Sequence, residues 1–147
     1  MEKRFENFTI SVLKLNKLVQ KIKVYEMKEY DLKAIHVMCI YYLAQNPKGL
    51  KASELSRLTL EDKAAISRAL ALLVEKGFIQ YDSNGYNANI RITYEGQKVA
   101  NYITLKSQAA VAAGGKDLTD DERDIFYRAL MSIAENLEEY YNNLPKN

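Results

Sequence analysis

The sequence predicts a mainly α-helical protein, and three observations carry that prediction. Apolar residues recur at spacings of three and four near both ends of the chain. The only prolines are Pro47 and Pro145, so the interior is free for long helices. The alternation expected of strands is confined to a short stretch that ends in Ile90-Arg91-Ile92. The 147 residues fit one domain, read as residues 1–147, and suffice to bury a core without covalent staples.

Phe5, Phe8, Val12, Leu15, Val19 and Ile22 form the first stripe, on a helix of about residues 3–27. Ile10, Leu13 and Leu18 give that helix a second apolar side, as expected of a helix packed on its own domain and on something else. Leu32 to Gln45 reads as a central buried helix, with no charged residue from 34 to 47. Asn46-Pro47-Lys48-Gly49 ends it. Leu50 and Lys51 suit a short strand. Residues 52–58 read as a short helix with Leu55 and Leu58 inward. Asp62 is placed to cap the next helix, which runs to Lys76 with Ile66, Leu70 and Leu73 on one buried face. Gly77 supplies its end.

Phe78 to Asp82 and Asn89 to Thr93 then read as a hairpin around a turn-rich tip, Ser83-Asn84-Gly85-Tyr86-Asn87-Ala88. Two short helices followed by a hairpin make a winged helix-turn-helix over about residues 32–98. From Tyr94 to about Ala113 the pattern is helical again, until Gly114-Gly115. Thr119 with Glu122 three residues later is a capping box. The last helix carries Phe126, Leu130, Ile133, Leu137 and Tyr140 or Tyr141. The fold class is thus mainly α, a winged helix-turn-helix with long N- and C-terminal helices, about 3–27 and 95–144. Their stripes are what a helical homodimer interface needs. Phe5, Phe8, Val12 and Leu15 are expected there from the first helix, and Phe126, Leu130, Ile133, Leu137 and Tyr141 from the last.

Charge narrows the function. The formal net charge is only +2, but residues 48–98 hold eight Lys or Arg against six acids, and residues 99–147 hold five against eight. A nucleic-acid surface therefore belongs outside the C-terminal part. Lys63, Ser67 and Arg68 lie off the buried stripe of their helix, near its N-terminal half, where the helix dipole favours phosphate. The same residues fit an ordinary solvated helix face. Cys39 is the sole cysteine, which excludes an internal disulfide framework. No apolar run has membrane-spanning length and no signal peptide is legible, so a cytoplasmic location is expected. No phosphate loop or nucleophile–base motif appears, so no enzyme is expected, and no cofactor. His36 and Cys39 are three apart without a third ligand at useful spacing, so no metal site is expected. Cys39 reads as inert packing in an apolar helix.

The order of elements resembles the MarR family of bacterial transcription regulators. AISRALALLVEKGFI, residues 65–79, is similar to the family's recognition-helix signature, with Ser67-Arg68 at its hydroxyl–arginine pair. IRITYEGQ, residues 90–97, resembles the strand that leaves the wing and enters the next helix. The resemblance implies a homodimer on double-stranded DNA, with residues 62–76 in the major groove and the wings on the flanks. One departure stands out. The family's wing commonly has arginine two places after an aspartate, but here Asn84 follows Asp82 in that place, and no cation lies between Lys76 and Arg91.

Ala64 and Ala65 are then expected to touch thymine methyl groups, and Arg68 to bind a guanine or clamp a phosphate. Lys51 and Ser53 are phosphate-contact candidates, or plain surface. Asn87, Asn89 and Arg91 are the wing's candidates, the asparagines either contacting DNA or simply making the turn. The resemblance also implies a small-molecule effector pocket near the first, second and fifth helices, with Tyr25, His36, Tyr41 and Tyr102 as candidates. The expected function is a ligand-responsive repressor on a pseudo-palindromic operator. The other reading is a helical dimeric protein-interaction module with weak or no specific DNA binding.

Overall fold

The computed structural model describes residues 2–146. Met1 and Asn147, which the one-domain reading included, lie outside the described residues. The chain forms two compact units, one up to Lys106 and one from Ser107 onward.

The first unit contains α1 (Glu2–Glu26), a 3-10 turn (Lys28–Tyr30), α2 (Ala34–Gln45), α3 (Ala52–Thr59), α4 (Lys63–Glu75), β1 (Ile79–Tyr81), β2 (Ile90–Ile92) and the start of α5 (Tyr94–Gly114). The nearly charge-free α2 contributes Val37, Cys39, Ile40 and Leu43 to the core. Leu55 of α3, the Ile66, Leu70 and Leu73 stripe of α4, and Val99 and Ile103 of α5 share that core. Each fully buried aliphatic side chain stabilises the fold by about 1.5–3 kcal/mol relative to exposure.

Local chemistry sets the boundaries. The sequence suggests that α2 begins at Leu32, but it begins at Ala34. Asp31 takes a left-handed conformation (φ 52°, ψ 47°) and ends the 3-10 turn. Leu32 is buried before the helix starts, and the Lys33 N–H donates to His36 Nδ1 at 2.9 Å. That bond serves an N–H that the helix itself leaves free. The inward placement expected for Leu58 is corrected: Leu55 is fully buried, whereas Leu58 is 36% exposed. Three residues on, Leu58 lies about 60° round the helix from Leu55, beside the α3–α4 turn. In that turn Leu60 is left-handed (φ 60°) and 92% exposed. Its N–H and that of Glu61 both donate to the Ser56 carbonyl, while Ser56 Oγ donates to the Glu61 carbonyl.

Helix α4 has Asp62 and Lys76 as caps rather than as helical residues. At its end the Gly77 N–H donates to the Val74 carbonyl and the Phe78 N–H to the Leu73 carbonyl. This doubled closure needs a left-handed residue, which Gly77 supplies at φ 77°. The two strands are each shorter than the alternation suggests. They pair antiparallel, with Ile79 opposite Ile92, Gln80 opposite Arg91 and Tyr81 opposite Ile90. Backbone bonds from Thr93 to Phe78 and from Asp82 to Asn89 continue the hairpin just beyond the strands. Leu50 pairs with Ile90 on the other side of β2, as its strand reading anticipates.

The second unit holds the end of α5 and α6 (Asp120–Asn142). The capping box forms: the Glu122 N–H donates to Thr119 Oγ1 at 3.2 Å, and the Thr119 N–H to Glu122 Oε2 at 2.8 Å. Arg123 Nη2 closes the preceding loop by donating to the Gly115 carbonyl at 2.8 Å. No residue of α6 is buried. Among the described residues, no helix is long and apolar enough to cross a membrane.

Candidate nucleic-acid interface

Helix α4 is built to hold one face out while the other is locked in the core. Asp62 Oδ1 accepts the Ala65 N–H at 2.7 Å and fixes the first turn. Ile66, Ala69, Leu70 and Leu73 are buried. Lys63, Ala64, Ser67 and Arg68 are exposed, and Ala65 is half-buried. Spacings of one and four put the four exposed residues on a single patch. The patch offers one ammonium, one guanidinium and one hydroxyl, with a methyl between them. Lys51, at the N-cap of α3, and Ser53, in its first turn, are also exposed.

The wing stands beside that patch. An open crevice of about 520 Å³ separates them. Ser53, Lys63 and Ser67 line one wall, and Tyr81, Ser83 and Tyr86 line the other. The sequence reading did not single out Tyr81 or Tyr86. Their signal was two tyrosines in a turn-rich stretch that had no cation.

The wing's polar residues serve its own architecture first. Asp82 Oδ2 accepts from Asn89 Nδ2 and Asp82 Oδ1 from Arg91 Nε, both at 2.8 Å. Asn89 Nδ2 also reaches the Lys48 carbonyl at 2.8 Å, tying the wing to the α2–α3 turn. The hydrogen bonds from Asn89 and then Arg91 hold the Asp82 carboxyl below its ordinary range. Asn89 therefore braces the wing with its amide nitrogen. Asn87 is left-handed (φ 61°) and exposed, a turn-making conformation that asparagine tolerates.

The four residues considered for an effector pocket are dispersed among different contacts. His36 is buried on α2, with Nδ1 accepting from Lys33. Burial, then the nearby charges of Lys33 and Lys76, push its pKa down. Tyr102 meets Tyr30 edge-on at 5.5 Å, and Tyr41 meets Tyr42 at 5.4 Å. Tyr25 is exposed near the end of α1. A separate crevice of about 260 Å³ lies between α1, α2 and the α3–α4 turn. There Lys23 Nζ lies 3.1 Å from Met38 Sδ, and burial lowers its pKa. Cys39 is fully buried, and burial pushes its thiol up to about 12, so it holds its proton at neutral pH.

The residues assigned to a dimer interface are all exposed: Phe5, Phe8, Val12 and Leu15 on α1, and Phe126, Leu130, Ile133, Leu137 and Tyr141 on α6.

A buried helix pair, an exposed second helix and an adjoining two-stranded hairpin define a winged helix-turn-helix protein. Residues 30–85, which span the helix-turn-helix and the first part of the wing, match the model of the MarR family. Solved structures share the fold over nearly the whole chain. A MarR protein from Peptoclostridium difficile is 21% identical, with a TM-score of 0.83, over 95% of this chain and 92% of that one. The transcriptional regulator SlyA is 21% identical, with a TM-score of 0.82, over 92% of this chain and 96% of that one. A structure of MarR itself is 23% identical, with a TM-score of 0.76, over 91% and 93%. Comparison with curated protein sequences gives no match.

Proposed function

We propose that this protein is a sequence-specific DNA-binding transcription regulator that works as a homodimer. The observation that carries the reading is the α4 patch: Lys63, Ala64, Ser67 and Arg68 exposed on a helix whose opposite face is locked by Ile66, Leu70 and Leu73. A helix held in this way presents its polar face rigidly to a major groove. Arg68 supplies a guanine or phosphate contact, Lys63 a phosphate contact, and Ala64 a methyl contact to thymine. The unburied stripes of α1 and α6 form the interface between two copies. Two-fold symmetry then gives a pseudo-palindromic operator, with half-sites about one helical turn apart. The protein represses by occupying a promoter. A small effector relieves repression by its differential affinity for two spacings of the paired α4 helices.

The test is selection of sites from a random DNA pool by purified dimer at physiological salt. A symmetric consensus is expected. Arg68→Ala should weaken binding to that consensus about tenfold or more, with the dimer intact, in line with the discrimination such a contact provides. Unchanged affinity would remove Arg68 from the interface. A folded dimer that enriches no sequence would favour the protein-interaction reading, for which the ion-paired wing is the motivating feature.

A further inference from the structure

Resting on that DNA-binding reading, we propose that the crevice between α3, α4 and the wing seats one sugar–phosphate strand, held on the wing side by Tyr86 in place of a cation. Tyr86 is fully exposed at the wing tip. Its ring offers an apolar face and its O–H a polar tip, which together suit a surface that is half apolar and half polar. Its neighbours define the chemistry. From residue 77 to residue 90 the sequence has no Lys or Arg, and Arg91 is drawn onto Asp82 at 2.8 Å. The wing therefore approaches DNA without an arginine at its tip. The opposite wall is lined by Lys63, Ser53 and Ser67, an ammonium-bearing and two hydroxyl-bearing residues, close to the N-terminal turns of α3 and α4. A donor-rich wall with a positive helix end faces acceptors and negative charge.

An occupant that satisfies both walls has phosphate oxygens on one side and an apolar ring face on the other. A deoxyribose–phosphate strand has both. The Tyr86 ring packs on the sugar and its O–H donates to a phosphate oxygen. Asn89, by clamping Asp82 and the Lys48 carbonyl, is a positioning residue that holds the tip at this height.

Salt dependence gives the assignment its test. A cationic contact releases counterions and steepens the fall of affinity with salt, by about 0.9 in slope per phosphate neutralised. A tyrosine contact adds affinity without that cost. The experiment measures affinity for the selected operator across a salt series, for wild type, Tyr86→Ala, Tyr86→Phe, Tyr86→Arg and, as control, Arg68→Ala. Tyr86→Ala is expected to weaken binding about tenfold at every salt concentration, giving a line parallel to wild type, with Tyr86→Phe between them. Tyr86→Arg is expected to steepen the slope by about 0.9 per half-site. Unchanged melting curves are expected, since the side chain is fully exposed. Wild-type affinity for Tyr86→Ala together with an unsteepened slope for Tyr86→Arg overturns the proposal. If Arg68→Ala still loses binding in that case, the regulator reading stands without it. If wild type selects no site, that reading fails and takes this one with it.

Discussion

Helices α4 and α6 carry the same kind of apolar stripe and meet opposite fates. On α4, Ile66, Leu70 and Leu73 recur at four and three and are buried to within 1%. On α6, Phe126, Leu130, Ile133 and Leu137 recur at four, three and four, yet each remains 40–52% exposed. The N-terminal part of α1 behaves like α6, with Phe5 at 74%. Periodicity thus states that a face seeks an apolar neighbour, and is silent on whether the neighbour lies in the same chain. A continuous stripe of this extent is far more than the scattered apolar residues of an ordinary surface.

Charging the exposed stripes should have the largest effect. Val12→Asp with Leu137→Asp should raise the dimer dissociation constant roughly a hundredfold or more, because each carboxylate would be desolvated without a partner. Operator binding should fail with it. Sedimentation equilibrium decides: a double variant that remains dimeric places the interface elsewhere. Next is Leu73→Ala in the core stripe, which should cost about 2–5 kcal/mol by leaving a cavity. Urea unfolding measures it, and a cost below about 1 kcal/mol would mean that the core collapses around the gap. Asp62→Ala should cost about 1 kcal/mol through the lost cap on α4, read in the same titration; no change would show the Ala65 N–H finding another acceptor.

The smallest expected effect is one of pH, and it falls on His36, buried on α2. His36 is neutral when its Nδ1 accepts the Lys33 N–H, because an imidazolium has no acceptor. Its folded pKa lies below the ordinary 6.5. The unfolded chain therefore takes up the proton first. The contribution is whole above about 6.5 and declines as pH falls below that value towards the folded pKa. His36→Asn keeps an acceptor but cannot titrate, so it should flatten the loss of stability between about pH 7 and 5. An undiminished slope would assign the titration to another group.

Much of this was legible in the sequence, because the signals are local. Asp62, Gly77 and the Thr119–Glu122 pair act on backbone within a few residues, and each does what its spacing suggests. The hairpin and the α4 face follow from periods of two and of three to four. What stayed hidden depends on distant partners. Asn89 looks like one more turn asparagine until it meets the Lys48 carbonyl, 41 residues away. Tyr86 draws notice only when the crevice it lines has two walls. Leu58 passes for a core residue on spacing alone, because a helix of eight residues gives too short a register to fix the centre of its buried line. Arg91 counts as a free cation in sequence and is paired in space.

Gly96 carries a mechanical consequence. A methyl group placed there would stand 2.0 Å from the Phe78 carbonyl oxygen, so backbone rests on backbone where α5 begins. Thr93 rivets the same spot: its N–H donates to the Phe78 carbonyl, its Oγ1 donates to the Gly77 carbonyl and accepts the Gly96 N–H. The last turn of α4, the root of the wing and the first turn of α5 are thereby one joint without slack. Any side chain larger than hydrogen at residue 96 would have to pry α5 off the Phe78 carbonyl, and with it off the end of α4.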